Sequence, residues 1–550
     1  MGDAALRTML PLRVTLVLAA VAPFVACSSS SSSTPPPEGG DGGDGSDASG
    51  DAGVPGLVIT DRGAVQGMQE KSGAWGYLGI PYAAPPVGAL RWAAPQPRDR
   101  WTETLATTAF GAKCVQVDPN YQYAAIGKED CLFVNVWTPA TATPGSALPV
   151  LVYLHGGGFT GGSASDQWFY GFYINEGAEL AAKTGAVVVT LNYRVGALGF
   201  LAHPALGEHP GNYGLLDQLF ALQWVQTNIA AFGGDRARVL LFGDSAGAGS
   251  VCDLVASPLG KGLMSAALME SGGCTGVSTP AGAVATAQTF AKAVGCDTAP
   301  APVSCMRALD ARIVTLAIEG SAGLSPTVDG FVVNDVPLNV IASGAHNHVP
   351  MVVGSNSDET AGDVFGKYRF GMSQAQYEAA VLASANGDEH LADQVLAMYP
   401  ASDYGGDPRA AEIAESTDAV FTCSARRTAR SFAKGQSEPV WRYYFTHGMD
   451  NDAAMHAQGA WHGIEDIFVF RQLVYNGRYV PSAAEQSLAD AIGGYWSRLA
   501  AGGDPNGGGA VTWPRYDPTI DNYLQIDETI KAGAGLRTEK CDFWDKMLPP

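Results

Sequence analysis

The strongest constraint on this chain is a set of short, continuous apolar runs, each ended by glycine or polar residues. Pro149-Val-Leu-Val-Tyr-Leu154, Ala186-Val-Val-Val-Thr-Leu191, Val239-Leu-Leu-Phe242 and Val349-Pro-Met-Val-Val353 do not alternate apolar with polar. They therefore read as strands buried on both faces. Between the second and third, Gly214 to Phe232 carries apolar residues at three- and four-residue spacing, which predicts an amphipathic helix. Strand, helix, strand in this order predicts an α/β fold, a mostly parallel central sheet covered by helices on both faces. In such sheets the chemistry gathers beyond the carboxyl ends of the strands. With 46% hydrophobic residues, the 550-residue chain can bury a large core. From residue 55 to 550 neither a second linker nor an internal repeat divides it, so one domain is expected there.

Two of these runs open into glycine-rich loops. The first continues into His155-Gly-Gly-Gly-Phe-Thr-Gly161, the third into Gly243-Asp-Ser-Ala-Gly247. The first loop fits G-x-G-x-x-G, but a dinucleotide site needs an acidic residue ending the next strand, and Leu191-Asn192-Tyr193-Arg194 has none. Arg194 is the one residue there that could receive a phosphorylated cofactor. The other reading makes the loop an oxyanion hole, with backbone N–H groups facing the charge that develops in acyl transfer. G-x-S-x-G is weak alone in a chain with 68 glycines. After an apolar run and a Gly-Gly-Gly loop, it reads as a sharp strand-to-helix turn presenting Ser245 as nucleophile.

A serine hydroxyl needs a histidine to take its proton, and the histidine needs an acid. In this architecture both follow the serine, acid first. His462, in Ala460-Trp-His-Gly-Ile-Glu-Asp-Ile-Phe-Val-Phe470, is the first choice of base. His447, closing Val440-Trp-Arg-Tyr-Tyr-Phe445, is the second. Val353-Gly-Ser-Asn-Ser-Asp-Glu-Thr360 offers Asp358 or Glu359 as the acid, and the residues themselves do not choose. His346 and His348 lie two apart without a third ligand, which describes a solvated loop better than a metal site. No metal or organic cofactor is called for.

The first 27 residues read as an export signal. Arg7 and Arg13 precede the uncharged run from Val14 to Ala26, too short for a bilayer, which needs about 20 residues. Phe24-Val-Ala-Cys27 resembles a bacterial lipobox, which makes Cys27 the expected lipid anchor; an ordinary secretory cleavage near Ala26 is the alternative. Residues 28–54, rich in Ser, Pro, Gly and Asp, cannot build a core and are expected to form a tether. The net charge of −21 repels nucleic acid. Of nine cysteines, eight remain beside Cys27, an even number suited to an oxidising compartment. Nothing in the sequence gives the oligomeric state.

The chain resembles the type-B carboxylesterase family, whose members include cholinesterases. The likeness runs from Gly56 to Leu548 through a series of motifs in one order. It takes in Gly79-Ile-Pro-Tyr-Ala-Ala-Pro-Pro-Val-Gly-Ala-Leu-Arg91, Glu129-Asp-Cys-Leu-Phe-Val-Asn-Val-Trp137 and Asn192-Tyr-Arg-Val-Gly-Ala-Leu-Gly-Phe200. Gly211-Asn-Tyr-Gly-Leu-Leu-Asp-Gln218, Phe232-Gly-Gly-Asp235, Tyr495-Trp496 and Gly503-Asp-Pro-Asn506 follow. The resemblance implies an α/β-hydrolase fold and hydrolysis of small-molecule carboxylic esters. It places the nucleophile on Ser245, the acid on Glu359, the base on His462, and oxyanion donors on Gly157, Gly158 and Ala246. Asp244 and Glu465 are expected just behind these groups. It implies disulfides Cys114–Cys131, Cys296–Cys305 and Cys423–Cys541, which leaves Cys252 and Cys274 to pair. Asp244 stands where relatives carry Glu, and Thr360 where Gly is common. The Cys114–Cys131 loop contains no Trp, the residue that holds a quaternary ammonium in cholinesterases. Tyr121 and Tyr123 are the aromatic residues available there, so a choline-ester specialist is not expected. A non-catalytic binding protein on the same scaffold is the competing class.

Overall fold

Eleven strands of the described residues hydrogen-bond into one sheet, and their order explains where a site can form. The computed structural model describes residues 54–118, 124–167, 171–318 and 324–547. Cys27, the export signal, the tether up to residue 53, and Tyr121 and Tyr123 lie outside the described residues. In chain order the strands of this sheet are β1 (Met68–Gln69), β2 (Trp75–Pro81), β3 (Phe133–Thr138), β4 (Leu148–Leu154), β5 (Val187–Leu191) and β6 (Gly234–Asp244). Then come β7 (Ala266–Glu270), β8 (Met351–Asn356), β9 (Val440–Phe445), β10 (Tyr523–Ile526) and β11 (Lys531–Gly533). Across the sheet they run β11-β10-β9-β8-β7-β6-β4-β5-β3-β2-β1. The pairs from β5 through β10 are parallel, while both outer ends are antiparallel.

The apolar runs become central strands because no face of them reaches water. Every residue of β5, β7, β8 and β9 is buried. β6 is longer than its apolar run and begins at Gly234. The predicted amphipathic helix is α1 (Tyr213–Asn228), continued by a 3₁₀ turn over Ile229–Phe232. It is buried over more of its surface than a surface helix, because its polar residues find internal partners. Asp217 accepts from Arg194 Nε and Nη2 at 2.7 Å each, and Gln218 Nε2 donates to Ser250 Oγ at 2.9 Å.

After β4 the chain moves to β5 on one side, and later to β6 on the other. The order reverses at β4, so the loops leaving β4 and β6 diverge and leave a crevice above their carboxyl ends. Four disulfides brace the fold: Cys114–Cys131, Cys252–Cys274, Cys296–Cys305 and Cys423–Cys541. Such cross-linking belongs to an oxidising, extracytoplasmic compartment. No helix of the described residues is long and apolar enough to cross a membrane.

Candidate active site

Sterics force the turn after β6. Ser245 sits at φ 58° and ψ −120°, a strained backbone for a residue with a side chain, and it caps α2 (Ala246–Ala256). The strain persists because the surroundings admit no relaxation. A Cβ on Gly247 would stand 2.0 Å from the Leu154 carbonyl oxygen, and one on Gly243 2.6 Å from the same atom. Ser245 N–H donates to the Glu270 carbonyl at 2.9 Å, fixing the turn to β7. Glycine at both positions lets β6 pass against β4 while the serine side chain is pushed into the crevice.

The loop after β4 comes to meet it. A Cβ on Gly156 would lie 3.0 Å from Ser245 Cβ. Gly157 and Gly158 have φ of 110° and 61°, and a Cβ on Gly157 would strike the Gly161 carbonyl at 2.4 Å. Their N–H groups have no acceptor among the described residues, and Ala246 opens α2, where the first N–H has no helical partner. His155 is buried, stacked on Tyr193 at 4.2 Å, with Nδ1 2.8 Å from the Gly156 carbonyl. Burial lowers its pKa, which keeps it neutral. Among the described residues no helix opens on these glycines as a dinucleotide site needs, the next one beginning at Ala178, and Arg194 is occupied by Asp217.

His462 lies in the segment that follows β9, just before α3 (Ile464–Val469). Its Nδ1 lies 2.7 Å from Glu359 Oε2, and its N–H donates to the Glu359 carbonyl at 3.0 Å. Glu359 Oε1 accepts from the Asn356 N–H at 2.7 Å. Asp358 turns the other way, accepting from Ser357 Oγ at 2.6 Å and Ala460 N–H at 3.2 Å. His447 lies apart, with Nδ1 3.2 Å from Asp527. His346 and His348 bond Gln436 and the Gly344 carbonyl. Ser245 and His462 face one cavity of about 830 Å³, which Gly157, Gly158, Asp244 and Asp466 also line. No hydrogen bond joins Ser245 to His462 among the described residues; in unliganded hydrolases that contact is often loose.

Behind these groups lies a set of buried carboxyls that sequence reading caught only in part. Asp244 and Glu270 end neighbouring parallel strands in register. Glu465 accepts from Ser271 Oγ at 2.9 Å and from Asn356 Nδ2. Asp466 accepts from Tyr153 OH at 2.6 Å, and Glu270 from Trp496 Nε1 at 2.9 Å. Asp244 Oδ1, Glu270 Oε2 and Asp466 Oδ1 are buried with no hydrogen-bond partner among the described residues. Burial pushes all four carboxyls up, Glu465 to about 8 and Asp466 to about 7. Burial opposes a charged His462, but the Asp244 charge and the bond and charge of Glu359 outweigh it, so its pKa is raised. Glu270, Asp466 and Tyr153 went unnoticed in the sequence because they converge from three separate elements.

The family model for the carboxylesterase family matches residues 55–544. The chain is similar to a fumonisin B1 esterase of Sphingopyxis macrogoltabida, 35% identical over 501 residues, 87% of each chain. It is also similar to a medium-chain fatty acyl-CoA hydrolase precursor of Anas platyrhynchos, 32% identical over 526 residues, 89% of this chain and 92% of that one. A cholinesterase of Mus musculus is 32% identical over 534 residues, 90% of this chain and 87% of the other. The chain belongs to the carboxylesterase family, as a serine carboxylesterase of type B on the α/β-hydrolase fold.

Proposed function

We propose that Ser245, His462 and Glu359 form a catalytic triad that hydrolyses small-molecule carboxylic esters through an acyl-enzyme. The observation that carries this reading is the 2.7 Å contact between His462 Nδ1 and Glu359, with the His462 ring facing the cavity that holds Ser245. His462 takes the Ser245 proton as the hydroxyl oxygen attacks the ester carbonyl. The N–H groups of Gly157, Gly158 and Ala246 receive the developing oxyanion. His462 then protonates the departing alcohol, so the alcohol occupies the large cavity on the histidine's side. Water repeats the attack on the acyl-enzyme, and Glu359 orients the ring throughout. Asp244 and Glu465 tune the histidine's charge from behind.

Turnover of short-chain nitrophenyl esters by the wild type, abolished in Ser245→Ala, is the expected result. Full activity in that variant refutes the triad, and no turnover by the wild type favours a non-catalytic scaffold. We further propose that residues 1–27 direct export, that Cys27 is lipidated, and that 28–54 tether a catalytic domain spanning 55–550. Mass spectrometry of the mature N-terminus tests the anchor; an unmodified Cys27 refutes it.

A further inference from the structure

A second, smaller arm of about 270 Å³ opens from Ser245; His462 does not line it, but Phe421, which does, packs against the His462 ring at 4.8 Å. It runs along α2, whose residues at four-residue spacing, Ser245, Gly249 and Asp253, share one face and line it. Gly249 has no side chain to close the passage. A Cβ there would meet its nearest neighbour, Phe159, at 3.4 Å. The Cys252–Cys274 disulfide fastens this stretch of helix to the loop that forms the opposite wall.

Asp253 is the one ionisable residue among the described residues lining the arm. It is 4% exposed, and among the described residues its carboxyl has neither a hydrogen-bond donor nor a cation beside it. Burial alone pushes its pKa well above the ordinary range. The fold gains nothing from an unpartnered buried carboxyl, since a leucine-sized apolar group would fill the place at lower cost. The triad reading does not use it either. It stands eight residues beyond the nucleophile, about 12 Å along the helix axis at 1.5 Å per residue. A helical side chain leans toward the N-terminus, so its carboxyl reaches back toward Ser245.

We infer that Asp253 is a specificity-determining residue which receives an ammonium group at the far end of the substrate's acyl chain. This rests on the triad reading above, in which the alcohol leaves on the His462 side and the acyl chain therefore enters the small arm. A charged donor is the partner that best compensates a desolvated carboxylate, and it restores the ionised form that burial disfavours. Phe159 and Phe421 line the same arm and offer aromatic faces that favour a cation. Among the described residues no basic side chain lines the arm, so an acyl chain ending in carboxylate meets the like charge of Asp253 there. The distance calls for several methylenes between carbonyl and amine, as in a 6-aminohexanoyl group.

The test compares three ethyl esters with one leaving alcohol: 6-aminohexanoate, hexanoate and the half-ester of adipate. The wild type is expected to rank them in that order by kcat/KM. In Asp253→Asn and Asp253→Leu the ratio of aminohexanoate to hexanoate is expected to fall about 10- to 100-fold, the worth of a charged hydrogen bond. An unchanged ratio in both variants overturns the inference, including the case where both esters slow together. Thermal denaturation of Ser245→Ala with 6-aminohexanoic acid gives a readout independent of chemistry. A rise in Tm that hexanoic acid does not produce, and that the added Asp253→Leu removes, supports the inference even where no ester is turned over. Absence of that rise overturns it. Failure of every ester in the wild type counts against the triad alone.

Discussion

Two groups of buried carboxyls meet near Ser245, and they have been treated oppositely. Glu359 has each oxygen matched to a donor, the Asn356 N–H on one and the His462 ring on the other. Asp244, Glu270 and Asp466 each keep one buried oxygen with no partner among the described residues. Donors favour the ionised carboxylate and burial favours the protonated form. In Glu465, which has a donor on each oxygen, burial and the neighbouring charges still win and push it up to about 8. The first arrangement fixes a ring and its charge. In the second, burial favours the protonated form, and the comparison separates what reacts from what sets the surrounding potential.

The largest expected effect tests whether the reacting group is what we take it to be. Ser245→Ala should lower kcat on the order of 10⁵-fold, measured with nitrophenyl esters. Glu359→Gln keeps the shape but loses the charge, and should cost about 10³- to 10⁴-fold in kcat. Asp358→Asn, one residue away, should cost less than about tenfold, because its carboxyl holds only Ser357 and Ala460. Equal losses in the two variants would erase the distinction between them.

Asp466→Asn probes the second group through stability. With its pKa raised from 3.8 to about 7, folded Asp466 binds a proton that the unfolded chain has released. Its contribution is therefore fully present below pH 3.8 and is lost as pH rises toward 7, by at most about 4 kcal/mol. The variant keeps an acceptor for Tyr153 and should lose less Tm between pH 5 and 8 than the wild type. A parallel decline would mean that the cluster does not titrate in this way. The smallest effect links the groups. Burial favours protonated Asp244, but once ionised it is the charge that most raises His462, so Asp244→Asn should move the acid limb of kcat/KM to lower pH. A limb that stays in place would show that Asp244 is neutral throughout.

Much of the fold and part of the site could be read from neighbours in sequence. The apolar runs announced the central strands because a strand buried on both faces tolerates no polar residue in water. The turn at Ser245 was legible because its glycines relieve clashes set by the local backbone. The residues themselves left the choice between Asp358 and Glu359 open, because adjacent residues in a turn point to different sides, and it was the family resemblance that put the acid on Glu359. In the fold it is contact with the His462 segment, about a hundred residues on, that brings the Glu359 carboxyl to the ring. In α1, spacing gave the helix but not its depth, since Asp217 and Gln218 are buried by partners elsewhere in the chain.

By itself, then, the sequence determined what short-range sterics and hydrophobic periodicity enforce: a parallel sheet, a glycine loop beside it, and a serine at a strained turn. The tertiary structure alone decided which carboxyls are paired and which are left to bind protons. It also placed Asp253 in the lining of an arm that opens at Ser245. A carboxyl's charge depends on the donors and water around it, and here those come from strands and helices far apart in the chain.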